Sequence, residues 1–248
     1  MLTVCQHIAF CMYSNGEKGV VKLVPPESNE GVILKKLLTI EDSRNPILPG
    51  IRIAELASAP SYSLILMPEA KEIVYHAHAA YLLDLAIQLV SGVIFLHEHR
   101  IAHLDLKRDN LLLSSTGKLS IVDFSISRFA KTHTTLTGFT GTEGCVAPEI
   151  EKGKRFSLFS ADKWACGKIL KDMARAGYGR RFSPSLMAQA LLLIDADPSK
   201  RPPLDLVLQS LLAAKEITSY PDQVKVPYHS YLRHDSMAFC PPAEITVE

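Results

Sequence analysis

The chain has 248 residues, 47% of them hydrophobic and 21% charged, a globular composition with enough apolar material for a full core in one domain or two. Twenty-seven basic and 26 acidic residues leave a formal charge of +1, so no global field favours a nucleic acid or a membrane surface as partner. Cys5, Cys11, Cys145, Cys166 and Cys240 are odd in number and form no C-x-x-C pair. That argues against a disulfide framework or structural zinc and for a reducing compartment. Met1 to Gly16 carries no cation before its apolar residues and no small-residue cleavage pattern, so no signal peptide is expected. The longest apolar segment, Leu82 to Leu96, is broken by Asp84, Gln88 and Ser91 and falls short of the roughly 20 residues of a membrane span. The expected location is cytoplasm or nucleus.

In chain order, residues 7–24 read as two strands joined at Ser14-Asn15-Gly16, because Asn-Gly between β-rich runs favours a hairpin. Pro25-Pro26 ends the second strand. A helix starts near Glu27-Ser28, with Ile33, Leu34, Leu37 and Leu38 at helical spacing. Residues 43–60 carry Pro46, Pro49, Gly50 and Pro60 and suggest a strand or two with loops. Leu64 to Met67 reads as a short buried strand stopped by Pro68. From Tyr81 to Glu98 the spacing of Leu82, Leu85, Leu89, Val93 and Leu96 predicts a long core helix. Short strands are expected at Asn110–Leu113 and Leu119–Val122, an exposed loop at Lys131–Gly144, and helices at 161–176, 184–194 and 203–215. The tail from Ser219 reads as irregular. Strands in the first third and helices thereafter predict an α+β fold in two lobes.

The chemistry concentrates in His103-Leu104-Asp105-Leu106-Lys107-Arg108-Asp109-Asn110 and, beyond a hairpin, Val122-Asp123-Phe124-Ser125. Asp105, Asn110 and Asp123 offer oxygen-bearing side chains of the kind that hold Mg²⁺, a cation that keeps water and phosphate oxygens as further partners. Lys107, two residues from Asp105, adds a cation. A carboxylate able to accept a hydroxyl proton beside such a cation suits phosphoryl transfer.

This stretch resembles the catalytic and metal-binding loops of eukaryotic-type protein kinases. Gly141-Thr142-Glu143-Gly144-Cys145-Val146-Ala147-Pro148-Glu149 resembles their substrate-binding and Ala-Pro-Glu segment. Ala161-Asp162-Lys163-Trp164-Ala165-Cys166-Gly167 is similar to the start of the large central helix, and Asp197-Pro198-Ser199-Lys200-Arg201-Pro202 to the late arginine motif. Val20-Val21-Lys22 resembles the strand that carries the phosphate-binding lysine. The resemblance covers about residues 7–215. It implies a bilobal kinase-like domain over 1–218, with an N-lobe of about 1–69, a C-lobe of about 70–218, and a separate tail at 219–248.

The resemblance further implies ATP and Mg²⁺ as cofactors and these roles. Asp105 accepts the substrate proton, Lys107 touches the γ-phosphate, and Thr142 bridges the two. Asn110 and Asp123 hold the metal. Lys22 contacts the α- and β-phosphates and pairs with Glu30, with Glu27 as a rival partner. Met67 is the gatekeeper, and the backbone of Pro68, Glu69 and Ala70 brackets adenine. Since Pro68 has no N–H, the neighbouring donors must serve the base. Lys107 and Thr142 match the Ser/Thr rather than the Tyr kind. Glu149 and Arg201 should form a buried structural ion pair, whereas His103 reads as packed.

Four features depart from the pattern. Only 21 residues precede Lys22, with no G-x-G-x-x-G among them, so the first strand and most of the glycine loop are expected to be missing. Leu104 stands where most members carry an arginine that meets a loop phosphate, which implies activity without loop phosphorylation. Ser125 replaces a glycine and restricts the backbone. Only 19 residues separate Gly177 from Asp197, fewer than the usual extra helix and its loops require.

Three readings compete. An active Ser/Thr protein kinase is favoured by the full set of polar residues. A catalytically weak or inactive kinase-like scaffold (a pseudokinase) that binds protein partners is suggested by the missing loop and the short C-lobe. A small-molecule phosphotransferase is disfavoured by the Ala-Pro-Glu segment, Thr142 and the late arginine. The partners implied are a protein substrate or binding partner. Five threonines from Thr132 to Thr140 admit a modified loop or an ordinary exposed one.

Overall fold

Alternating side chains fix the first lobe. The computed structural model describes residues 7–13, 16–25, 28–56, 59–73, 79–176 and 183–217. Strands β1 (His7–Met12), β2 (Lys18–Val24), β3 (Arg52–Leu56) and β4 (Ala59–Pro68) form an antiparallel sheet in the order β1-β2-β4-β3. On one face Cys11, Val21 and Leu66 make a small cluster with Tyr13, Ala54 and Leu64. The other face sets Val24 and Ile65 against Ile33, Leu34 and Leu37 of helix α1 (Asn29–Leu38) in the main core. Lys22 alternates with Val21 and therefore faces α1, where it is buried.

Ser28 caps α1 by accepting the Glu30 N–H at 3.2 Å, which places Glu30 in the first turn beside the apolar stripe. A carboxylate is favoured there, and Lys35 and Lys36 occupy the last turn, both in keeping with the helix dipole. β4 begins at Ala59 rather than Leu64 and includes Pro68 as its last residue. Prolines are tolerated at strand ends, where a ladder N–H is not needed.

The second lobe is helical around α2 (Ala79–Glu98). Its stripe Leu82, Leu85, Leu89, Val93 and Leu96 is buried and joins Ile169, Leu170 and Met173 of α4 (Leu158–Arg175), with α5 (Pro184–Leu193) and α6 (Leu204–Ile217) completing the layer. Among the described residues, α2 alone has the length and hydropathy of a membrane span, and 61% of that window is buried inside the fold. α4 starts three residues before the expected 161. Gly167 lies mid-helix because α5 crosses there: a Cβ would sit 2.5 Å from the Cβ of Leu193.

Two-residue and three-residue strands tie together the segment before α2 and the loops between α2 and α4. β5 (Lys71–Glu72), β7 (Leu111–Leu113) and β8 (Leu119–Ile121) form one sheet. β6 (Ile101–Ala102) pairs with β9 (Arg128–Phe129), and β10 (Thr135–Leu136) pairs with β11 (Phe156–Ser157). Sequence periodicity resolves none of β5, β6, β9, β10 or β11, since two residues carry no alternation. The short helix α3 (Pro148–Glu151) precedes β11. Cys11, Cys145 and Cys166 are free thiols. The remaining two cysteines, the Ser14-Asn15 part of the first turn, Glu27, Gly177 and the tail lie outside the described residues.

Candidate active site

Lys22 is the hub of the first half of the site. Its Nζ lies 2.8 Å from Glu30 Oε2 and 2.7 Å from Asp123 Oδ1, so one buried ammonium joins β2, α1 and the loop after β8. Glu30 in turn accepts the Phe124 N–H at 3.1 Å on Oε1 and holds the backbone next to Asp123. Burial pushes the Glu30 carboxyl up, and the Lys22 charge offsets this only in part. Burial acts to raise Asp123 as well, but the charge and hydrogen bond of Lys22, with the Ser125 hydroxyl, hold it below the usual carboxylate range. Asp123 takes φ +64°, a left-handed conformation that costs a non-glycine residue about 1 kcal/mol or more and persists only where the surroundings fix it.

The second half centres on Asp105. Its Oδ1 accepts the Thr142 hydroxyl at 2.7 Å, and its Oδ2 lies 2.9 Å from Lys107 Nζ. Lys107 also donates to Thr142 Oγ1 at 2.6 Å, which closes a three-residue ring. Asn110 donates through Nδ2 to the Asp105 carbonyl at 2.8 Å and to Asp105 Oδ2 at 3.1 Å. Both Asn110 bonds use the amide nitrogen and leave its oxygen as an acceptor. Thr142 reaches this ring because Gly141, at φ +110°, passes close to the Leu104–Asp105 backbone: a Cβ there would meet Val146 Cγ1 at 2.6 Å and the Leu104 carbonyl at 2.9 Å.

Asp162 and His103 link the halves. Asp162, near the start of α4, accepts the His103 and Leu104 N–H groups at 2.8 Å each and meets His97 Nε2 at 3.0 Å. These bonds hold Leu104 at φ +67°. The role of Asp162 was not assigned from sequence; its signal is a lone carboxylate among the apolar positions of α4. His103 is fully buried, contacts the Val122 carbonyl at 3.1 Å through Nε2 and accepts the Asp105 N–H at 3.3 Å on Nδ1. Burial lowers its pKa, with Asp162 opposing. Neutral His103 therefore braces the loops of both Asp105 and Asp123. Leu104 is buried in an apolar cluster with Val146, Ile150 and Phe156, against which Leu136 packs.

Met67 ends the row Phe10–Val20–Met67 across the sheet and packs on the main core. Of the donors after Pro68, the Glu69 N–H is engaged by the Lys18 carbonyl at 3.2 Å. Far from these groups, Arg201 grips Glu149 with two bonds of 2.7 and 2.8 Å, both residues being buried.

Asp123 and Asn110 suit a hard cation: a carboxylate and an amide oxygen are donors of the kind Mg²⁺ takes from protein, water and phosphate oxygens completing its shell. Among the described residues no group of three or more His, Cys, Asp or Glu is placed to cage a metal without such a partner.

Residues 58–178 match the family model described as protein kinase domain. The chain is 39% identical over 115 residues to CBL-interacting protein kinase 9 of Oryza sativa subsp. japonica, a match covering 45% of this chain and 25% of that protein. It is 34% identical over 152 residues to Serine/threonine-protein kinase 36 of Mus musculus, covering 58% and 11% respectively. Over 91 residues it is 42% identical to Serine/threonine-protein kinase GRIK1 of Arabidopsis thaliana, covering 36% and 23%. The matched segment therefore spans a quarter or less of each of these relatives.

Proposed function

We propose that the chain, which matches the protein kinase domain model over residues 58–178 and has relatives of the serine/threonine kind, is an ATP-dependent kinase that phosphorylates Ser and Thr hydroxyls of protein substrates. The observation that carries this reading is the placement of Lys22 between Glu30 and Asp123, at 2.8 and 2.7 Å. That arrangement gives a phosphate-binding ammonium a fixed position next to a carboxylate held in its ionised form. The Asp105–Thr142–Lys107 ring supports it from the acceptor side.

In this reading Asp105 orients the substrate hydroxyl and takes its proton as the oxygen bonds to the γ-phosphorus and ADP departs. Thr142 fixes the Asp105 carboxylate, and Lys107 neutralises charge on the transferring phosphoryl group. Lys22, oriented by Glu30, contacts the α- and β-phosphates. Asn110 and Asp123 hold Mg²⁺, which supplies charge neutralisation on the phosphate oxygens when bound. Met67 borders the adenine site and the Glu69–Ala70 backbone lines it. With the Glu69 N–H engaged by Lys18, Ala70 supplies the base-facing donor. The catalytic unit spans residues 1–218, with lobes of 1–69 and 70–218 and a tail at 219–248. Its free thiols fit the cytoplasm or nucleus.

The test is transfer of labelled γ-phosphate from Mg-ATP to a degenerate Ser/Thr peptide library. The wild type should label both residues, and Asp105→Asn should lose at least about a hundredfold of the rate. A wild type no faster than Asp105→Asn would replace the enzyme by a kinase-like scaffold for protein partners.

A further inference from the structure

The segment that carries Thr142 is held lightly. Among the described residues, side chains tie 141–145 to the rest of the fold by hydrogen bonds at two points. One is the Thr142 hydroxyl in its ring with Asp105 and Lys107, and the other is the Gly144 carbonyl, which accepts from the Lys168 ammonium of α4 at 3.0 Å. Glu143 and Gly144 are both exposed, so burial adds little to these bonds. A turn joins the two points. The Cys145 N–H donates to the Thr142 carbonyl at 2.9 Å, and Gly144, third residue of that turn, takes φ +74°, which a side chain would resist. Four residues closed in this way move as one unit, so a bond made at Gly144 bears on Thr142.

The surroundings of Lys168 prepare it for that bond. Trp164 lies one turn earlier on the same face of α4, and the Lys168 ammonium sits 5.7 Å from the centre of its ring. Trp164 itself packs against both the main core and the cluster around Leu104. An aromatic face anchored in this way limits the rotamers of a half-buried lysine, and so reduces the entropy lost when the ammonium grips a carbonyl.

We infer that Lys168 is a positioning residue: from α4 it fixes the 142–145 turn and, through Thr142, the carboxylate of Asp105. Its bond goes to the Gly144 carbonyl, and Thr142 in turn donates to Asp105 Oδ1 at 2.7 Å. Without Lys168 the turn hangs on the Thr142 hydroxyl alone, and that hydroxyl holds Asp105 for a smaller part of the time. The consequence for phosphoryl transfer rests on the kinase reading above, whereas the consequence for the turn does not.

The test follows native-state exchange of the Cys145 amide, whose N–H closes the turn, in the full chain. Lys168→Met keeps an unbranched stem on Trp164 and loses the donor. It should speed exchange about fivefold or more, as loss of one hydrogen bond does, and Lys168→Arg should restore the wild-type rate. The Gly153 amide, which closes a separate exposed turn on the Ile150 carbonyl at 2.9 Å, should be unchanged. Thr142→Val should speed Cys145 as well, and the double variant should exchange about as fast as the faster single one, because either loss already opens the turn. In the peptide assay kcat should fall about fivefold in Lys168→Met with KM for ATP unchanged. Wild-type exchange at Cys145 in Lys168→Met, a rise shared by Gly153, factors that multiply in the double variant, or an unaltered kcat would each overturn the inference. A wild type that transfers no phosphate overturns the kinase reading instead, and the exchange rates still decide the role of Lys168.

Discussion

Removing the Arg201 side chain isolates the contact that ties α3 to α4 and to the turn at Asp195. Its guanidinium is fully shielded and makes two bonds to Glu149, one of 2.9 Å to the Ser160 carbonyl and one of 3.0 Å from Nε to the Asp195 carbonyl. Arg201→Ala leaves the buried Glu149 carboxylate without its cation and removes a donor from two partly buried carbonyls. Breaking one partner of such a pair costs about 3–5 kcal/mol. At about 2–4 °C per kcal/mol for a chain of this size, melting should fall by roughly 6–20 °C. Calorimetry and urea unfolding read this directly. The double variant Glu149→Leu/Arg201→Met should recover much of the loss, since replacing both partners by apolar groups removes the unpaired charge. A cost below about 1 kcal/mol for Arg201→Ala, as for an exposed pair, would refute the reasoning. So would a double variant as unstable as the two single changes combined.

Gly167→Ala should destabilise by about 1–2 kcal/mol in urea unfolding despite the helix-favouring alanine, because the new Cβ meets Leu193 and Ile194 at 2.5 and 3.0 Å. Lys22→Met removes the ammonium shared by two carboxylates, and phosphoryl transfer should drop about a hundredfold or more in the peptide assay, as for loss of one charge-stabilising donor. His103 has a folded-state pKa lowered by burial, so the unfolded chain takes up its proton first as pH falls. Its contribution is complete above about pH 6.5 and is lost as pH drops towards the folded pKa, at up to about 1.4 kcal/mol per pH unit. The decline in melting temperature between pH 7.5 and 5.5 should therefore be shallower for His103→Phe than for the wild type.

Where local periodicity and capping decide structure, the sequence announces it. The α2 stripe, the start of α1 and the 7–24 hairpin appear within a few residues of expectation because each depends on neighbours in the chain. Glu30, which the sequence offers with Glu27 as a partner for Lys22, stands in the first turn of α1 beside Ile33 and Leu34 and lies 2.8 Å from that lysine. What long-range packing decides was not legible. The β10–β11 pair joins residues some twenty apart by two rungs, too short to leave a pattern. Asp162 draws its importance from the two amides it receives across 58 and 59 positions. Leu104 reads as a substitution until its apolar neighbours are seen.

The most direct test of the central claim is the melting temperature of the full chain under Mg-ATP titration, for wild type and Asp123→Ala side by side. At a hundredfold excess over Kd, binding to the folded state alone contributes about 2.7 kcal/mol, or roughly 5–11 °C here. The account predicts a rise of that order that requires Mg²⁺ and is lost in Asp123→Ala. A wild type unmoved by millimolar Mg-ATP, or a shift that Asp123→Ala retains in full, would contradict it.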